Sequence, residues 1–178
     1  MTTKNIWDCE LLSKPNDYIY LFNVNKHEKL KNKLLKNINN TPFTNINNVS
    51  KTDWEIDHFL ERKYWDKNMV NIFESCTSLL KKDLYKNIEF KTILKNYWFH
   101  IYKKNSGFKW HTHGSNNFSG IYYICLPSQK YKTEFLNIDI SLQEGNLIIF
   151  PSFLAHRSPV NKLTKQKVVL SFNFSMEE

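Results

Sequence analysis

From about Tyr97 onward, apolar and polar residues alternate with a period of two, and turn formers break the alternation at short intervals. Successive side chains of a strand point to opposite faces, so this half of the chain is satisfied only by strands that bury one face. The pattern predicts strands near 97–104, 110–113, 118–126, 131–139, 146–151, 155–160 and 166–175. Turns fall at Asn105-Ser106-Gly107, Pro127-Ser128, Glu144-Gly145 and Asn161 to Thr164. Many short strands with closely spaced turns indicate a sandwich or barrel.

The first half reads differently. Tyr18 to Phe22 fits a short strand, and then Leu30, Leu34, Leu35 and Ile38 share one helical face over 25–38. Asn39 to Asn48 is expected as a polar loop around Pro42. Thr52-Asp53 is expected to cap a short helical piece carrying Trp54, Ile56, Phe59 and Leu60. Met69, Val70, Phe73, Cys76, Leu80 and Leu84 predict the longest helix, over 67–86. The expectation is a mainly β fold with packed helices, a helical N-terminal half (1–94) supporting a β core (95–178). With no repeat and no linker, residues 1–178 read as a single domain.

The last strand-like run shows how the core is used. Val168, Leu170, Phe172 and Phe174 form one wholly apolar face, while Lys167, Val169, Ser171 and Asn173 form the other. The apolar face is expected to pack on the helices and the polar one to look inward. Burying a lysine and a serine without partners is costly, and a bound dicarboxylate would satisfy both.

His111 and His113 stand at i, i+2, a spacing that turns both side chains to one face of a strand. His156 closes a distant apolar run. Two imidazoles from one strand and a third from another can hold one face of a metal ion and leave the other open, as the facial triad of non-haem iron oxygenases does with two His and a carboxylate. Set against this, histidines often sit half-buried for packing reasons alone. His27 and His58 are expected at the surface of helices, and His100 shares with Trp98 and Tyr102 a face that could line the interior. Glu134 and Asp139 read as solvated or edge positions, and Arg157 as pointing to the other face of its strand, near a substrate entrance.

The net charge is +8, but all but two of the 25 basic residues are lysine, the exceptions being Arg62 and Arg157. Arginine is the usual reader of base edges and the bidentate phosphate clamp, so the composition disfavours nucleic acid as a partner. Cys9, Cys76 and Cys125 form no CxxC pair and read as reduced, buried thiols. No signal peptide and no membrane span is expected, which points to a cytoplasmic protein without a membrane partner.

Five segments in order carry a family resemblance: Trp98-Phe99-His100-Ile101-Tyr102 with Gly107, His111-Thr112-His113, Ser119-Gly120-Ile121-Tyr122-Tyr123, Gly145 through Phe150-Pro151-Ser152 to His156, and Ser171-Phe172-Asn173. Together they resemble the small Fe(II)- and 2-oxoglutarate (2OG)-dependent oxygenases, in particular a short family common in marine bacteria and their phages. The match spans roughly residues 95–175. It implies a double-stranded β-helix core of jelly-roll or cupin type, and it implies Fe(II) and the cosubstrate 2OG. On this resemblance the metal ligands and catalytic residues are His111, His113 and His156. Lys167, with Ser171, stands where the family carries a basic residue for the cosubstrate's distal carboxylate, and Tyr102 is a candidate donor to the cosubstrate.

Two departures stand out. The family's basic residue is usually Arg, and the superfamily's carboxylate ligand is replaced by His113. Either His113 ligates or the site has two protein ligands. The activity expected is a 2OG-dependent dioxygenase that hydroxylates its substrate with release of succinate and CO2. The substrate, a small molecule, a peptidyl side chain or a nucleobase, is not given by the sequence. Two alternatives remain: a 2OG-independent, cupin-type enzyme with three His ligands, and a non-catalytic zinc module with Cys125 as fourth ligand.

Overall fold

The computed structural model describes residues 9–46, 48–57, 60–84, 89–114 and 116–178. In chain order these form β1 (Cys9–Ser13), β2 (Tyr20–Val24), α1 (His27–Asn39), β3 (Thr44–Ile46), β4 (Val49–Thr52), α2 (Lys67–Leu84), β5 (Lys91–Tyr102), β6 (Phe108–His111), β7 (Phe118–Cys125), β8 (Glu134–Phe135), β9 (Asn146–Pro151), β10 (His156–Ser158) and β11 (Lys167–Glu177). Eight strands form one antiparallel sheet in the order β1-β2-β9-β7-β11-β5-β4-β3, and β6-β10-β8 form a second. The architecture is jelly-roll-like.

Two apolar layers follow from the strand alternation. On the outer face of the large sheet, Val168, Leu170, Phe172 and Phe174 of β11 pack with Leu30, Leu34 and Ile38 of α1 and with Met69, Ile72, Phe73 and Leu80 of α2. Burying each such side chain contributes about 1.5–3 kcal/mol, which is why two amphipathic helices settle there. Between the sheets a second cluster joins Tyr102, Ile121, Tyr123, Ile148, Phe150 and Val169 of the large sheet to Phe135 of β8. β11 lies at the centre, paired along its length with β5 and β7. Gly120 faces Phe172 across β7 and β11, and a Cβ on it would stand 2.1 Å from the Phe172 ring.

Several expectations are corrected. The N-terminal half is not mainly helical: among its described residues there are only α1 and α2, while β1–β2 and β4–β3 extend the two edges of the large sheet. The segment expected as a polar loop contains β3. Lys51 and Thr52 of β4 cover an otherwise open β5 edge, and Thr44 and Ile46 of β3 pair in turn with β4, which outweighs the local polar composition. Asp53 does not cap a helix. Its buried carboxylate accepts the Phe99 N–H at 2.8 Å and the Tyr64 hydroxyl, and it pairs with Arg62 Nε at 3.0 Å. One arginine and one aspartate thus fix the 53–64 segment to β5. The helix expected over 67–86 runs to Leu84; its last two positions, like His58 and Phe59, lie outside the described residues. The strand expected over 131–139 shrinks to Glu134–Phe135 after a 3₁₀ turn at Gln129–Tyr131.

His27 is also corrected. It is not a surface residue: Gly145, at φ 89°, brings its backbone against the ring, and Nδ1 lies 2.7 Å from the Tyr122 hydroxyl. Nor is it remote from possible co-ligands, since Glu28 and Glu144 stand within metal-ligand reach of it. Lys31, however, already ion-pairs with Glu144.

Candidate active site

The cavity lies between the sheets, with a volume of about 240 Å³. β6 ends at His111, which stands directly across from His156 on β10. An antiparallel cross-strand pair shares one face, so both rings turn into the cavity. His113 lies two residues beyond the end of β6, not within the strand as the i, i+2 spacing suggested. Its N–H donates to the Ser152 carbonyl at 2.8 Å, and its ring stacks on Trp54 at 6.1 Å between centroids. This tether brings it to the other two all the same. The ligand atoms of His111, His113 and His156 all lie within 4.8 Å of one another.

The hydrogen bonding around the rings suits a metal. His111 Nδ1 donates to the Lys109 carbonyl at 2.9 Å, and His156 Nδ1 donates to the Leu154 carbonyl at 2.9 Å. A carbonyl only accepts, so the proton of each ring sits on Nδ1 and the Nε2 lone pair is left for the centre. Burial pushes His156 down to about 3 and His113 to about 4, each helped by the neighbouring His111, which burial also lowers. All three rings are neutral near pH 7. Three neutral imidazoles converging on one point, two of them with fixed tautomers, fit a divalent transition metal. Cys125 offers no fourth ligand to this group: it ends β7 beside Lys31 and Glu144.

The opposite wall is β11. Lys167, Val169, Ser171 and Asn173 all line the cavity, as their alternation predicted. Lys167 is 1% exposed. Its Nζ donates to Ser158 Oγ at 2.9 Å and lies over the rings of Tyr102 and Tyr123 at 5.3 and 5.7 Å. Among the described residues no carboxylate comes within ion-pair distance. Burial pushes the ammonium down to about 7, against the weaker pull of the more distant Glu134. Tyr102 pairs with Lys167 across β5 and β11, and its hydroxyl lies 2.9 Å from His100 Nδ1. The Tyr123 hydroxyl is taken by Thr133 at 2.7 Å. Ser119 Oγ donates to Asn173 Oδ1 at 2.7 Å and lies 3.0 Å from Ser152 Oγ.

The other polar candidates take structural roles. Glu134 pairs with Arg157 at 2.6 Å and Asp139 with Lys132 at 2.6 Å. The Arg157 guanidinium also lies over the half-exposed Trp110 ring, at the edge of the cavity. Neither Ser158 nor Trp54 is expected at the site from the sequence, yet both line the cavity. Ser158 lies two residues after His156 and so shares its face. Trp54 is expected on a short helix, but it lies in a turn.

No family model and no curated protein matches the sequence. Solved structures do. The viral collagen prolyl hydroxylase of Paramecium bursaria Chlorella virus-1, in its 2OG complex, superposes with a TM-score of 0.68 at 13% identity, over 92% of this chain and 98% of that one. A Trichoplax adhaerens prolyl hydroxylase, in complex with a hypoxia-inducible factor oxygen degradation domain peptide fragment, gives 0.64 at 11% identity, over 90% and 84%. A Pseudomonas putida prolyl-4-hydroxylase gives 0.56 at 10% identity, over 89% and 88%. The chain shares their fold. These neighbours, with a 2OG-Fe(II) oxygenase family member from Burkholderia pseudomallei, belong to the same broad group that the sequence motifs resemble. Among the described residues no helix is long and apolar enough to cross a membrane.

Proposed function

We propose that this protein is an Fe(II)- and 2OG-dependent dioxygenase that hydroxylates its substrate, with succinate and CO2 as co-products. One observation carries the reading: a cavity with three neutral, convergent histidines on one wall and, on the other, a buried lysine that has no carboxylate within ion-pair distance among the described residues. A dicarboxylic 2-oxo acid matches both, one end at the histidines and the distal carboxylate at Lys167. A 2OG-independent three-His enzyme would leave Lys167 buried without its ion partner. Residues 1–178 are taken as one domain serving this site.

His111, His113 and His156 would hold the iron, which supplies oxygen activation coupled to oxidative decarboxylation of the cosubstrate. The chain's own part is positional. Lys167 and Ser158, with Ser171 beside them, would bind and orient the distal carboxylate. The aromatic walls, Trp98, Phe108 and Phe150, exclude water. Trp54, half-exposed at the cavity's edge, would meet the substrate. Three of the neighbours are named prolyl hydroxylases, so a peptidyl proline is the first substrate to test.

The test is anaerobic titration with Fe(II) and then 2OG, followed by succinate formation over a panel of proline-containing peptides. One equivalent of iron and a 2OG-dependent charge-transfer band are expected, and His111→Ala or His156→Ala should abolish both. Iron binding in those variants equal to the parent's would sink the assignment.

A further inference from the structure

Among the polar groups that line the cavity, His100 has no role in the machinery described above. His100 lies midway along the cavity-facing row Trp98, His100, Tyr102 of β5, opposite Val169 of β11, whose side chain offers no hydrogen bond. Its ring is stacked on Phe108 at 5.8 Å and set edge-on to Trp98 at 6.2 Å. Phe108 in turn lies 4.6 Å from the His111 ring, so His100 stands between the histidine cluster and the lysine wall. His100 is 8% exposed. Nδ1 meets the Tyr102 hydroxyl, while Nε2 makes no hydrogen bond among the described residues and the ring lines the cavity. A polar edge held in an aromatic cage is destabilising unless something bound there satisfies it.

The direction of the neighbouring hydrogen bonds fixes what that edge offers. A lysine ammonium has donors only, so Lys167 donates to Ser158 Oγ. The serine proton is then free for the neighbouring Tyr102 oxygen: Tyr102 pairs with Lys167 across the strands, the Lys167 Nζ lies 5.3 Å from its ring centroid, and the Ser158 hydroxyl acts on Tyr102 as a donor does. The Tyr102 proton is in turn free for His100 Nδ1. The chain Lys167, Ser158, Tyr102, His100 therefore ends in an Nε2–H donor. Burial, with His111, Lys167 and His113 nearby, pushes His100 down to about 3, so the ring carries one proton only.

We propose that His100 is a cosubstrate-binding residue whose Nε2–H donates to an oxygen at the metal-side end of the 2-oxo acid, its tautomer set by the Lys167–Ser158–Tyr102 hydrogen-bond chain. This rests on the functional reading above and extends it. Because the chain starts at the residue that holds the distal carboxylate, charging Lys167 and orienting His100 become one event, and the two ends of the cosubstrate are recognised together.

The first measurement needs no substitution. In protein loaded with Zn(II), a diamagnetic stand-in for iron, long-range ¹H–¹⁵N correlation of the histidine rings should show His100 neutral with its proton on Nε2. Adding 2OG should move that proton resonance. A proton on Nδ1, or a resonance unmoved at saturating 2OG, overturns the assignment. The second measurement is anaerobic 2OG affinity. His100→Phe keeps the ring volume and removes the donor; it should bind Fe(II) as the parent does and 2OG about 10- to 100-fold more weakly. His100→Gln, whose amide N–H can reach the same place, should return to within several-fold of the parent. Parent-like affinity in His100→Phe overturns the proposal. Equal weakness in His100→Gln does so too, by assigning the ring to packing. A parent that binds iron and gives no 2OG band overturns the functional reading itself, and the role of His100 with it.

Discussion

Lys167 shows how far one buried charge constrains a site. Its ammonium is held in an apolar wall with a serine for company, and burial brings its ionisation down to about 7. A carboxylate bound beside it would restore the charge, so cosubstrate binding should take up a proton near neutral pH. The sign follows: as pH rises above 7 the free protein loses the Lys167 proton and 2OG affinity should fall, by up to about tenfold per pH unit. Titration calorimetry in buffers of different ionisation enthalpy reads this uptake directly, and Lys167→Arg should flatten the dependence, since a guanidinium keeps its charge. Lys167→Met should bind iron normally and 2OG about 30- to 150-fold more weakly; a parent-like titration would place the clamp elsewhere. At the other wall, His113→Asp is expected to retain metal and His113→Ala to weaken it. Unchanged metal affinity in His113→Ala would leave two protein ligands, His111 and His156.

Among the elements, β11 decides the design. One face supplies the helices with Val168, Leu170, Phe172 and Phe174, and the other supplies the cavity with Lys167, Ser171 and Asn173. A slip of one residue would exchange the two sets. The register is held on both sides by β5 and β7, and at one point by the absence of a side chain: the Phe172 ring occupies the space over Gly120. Gly120→Ala should therefore displace the ring and cost about 1–3 kcal/mol of stability by overpacking, seen as a lower denaturation midpoint with an unchanged m-value. An undiminished midpoint would show that the Phe172 ring moves aside freely.

At the scale of the molecule, the candidate ligands belong to the small sheet and to the segment tethered to it, while the core that pays for folding lies mostly between the large sheet and the helices. A ligated metal would tie the three-stranded sheet together across β6 and β10. A divalent metal at a hundredfold excess over its Kd should add about 2.7 kcal/mol, or about 5–10 °C in Tm for a chain of this length. The combined variant His111→Ala, His156→Ala should show no such shift by scanning calorimetry. An equal shift in that variant would mean that metal binds at other groups, His27, Glu28 and Glu144 being the alternative cluster.

The second half of the chain was legible because period-two alternation fixes faces without reference to partners. The inward set on β11, the Trp98–His100–Tyr102 row and the turns at Asn105 and Gly145 could all be read that way. The N-terminal half was legible only in part: the strand near Tyr20 and the helices over 25–38 and 67–86 form as β2, α1 and α2, but the pieces between the two helices were not. Thr44–Ile46 and Val49–Thr52 are too short and polar to show a period, and they become strands because β5 has an open edge to be filled. Asp53 looks like a cap until Arg62, Tyr64 and the Phe99 amide are brought to it from other parts of the chain. His113 and Ser158 mark the same divide within the site. The residue types and order of the three histidines were in the sequence, but His113 reaches the cluster through a backbone tether to Ser152, not through a strand. Ser158 gains its place because β10 runs on past His156 toward Lys167. Local periodicity determined which side chains face inward; long-range pairing alone decided which of them meet.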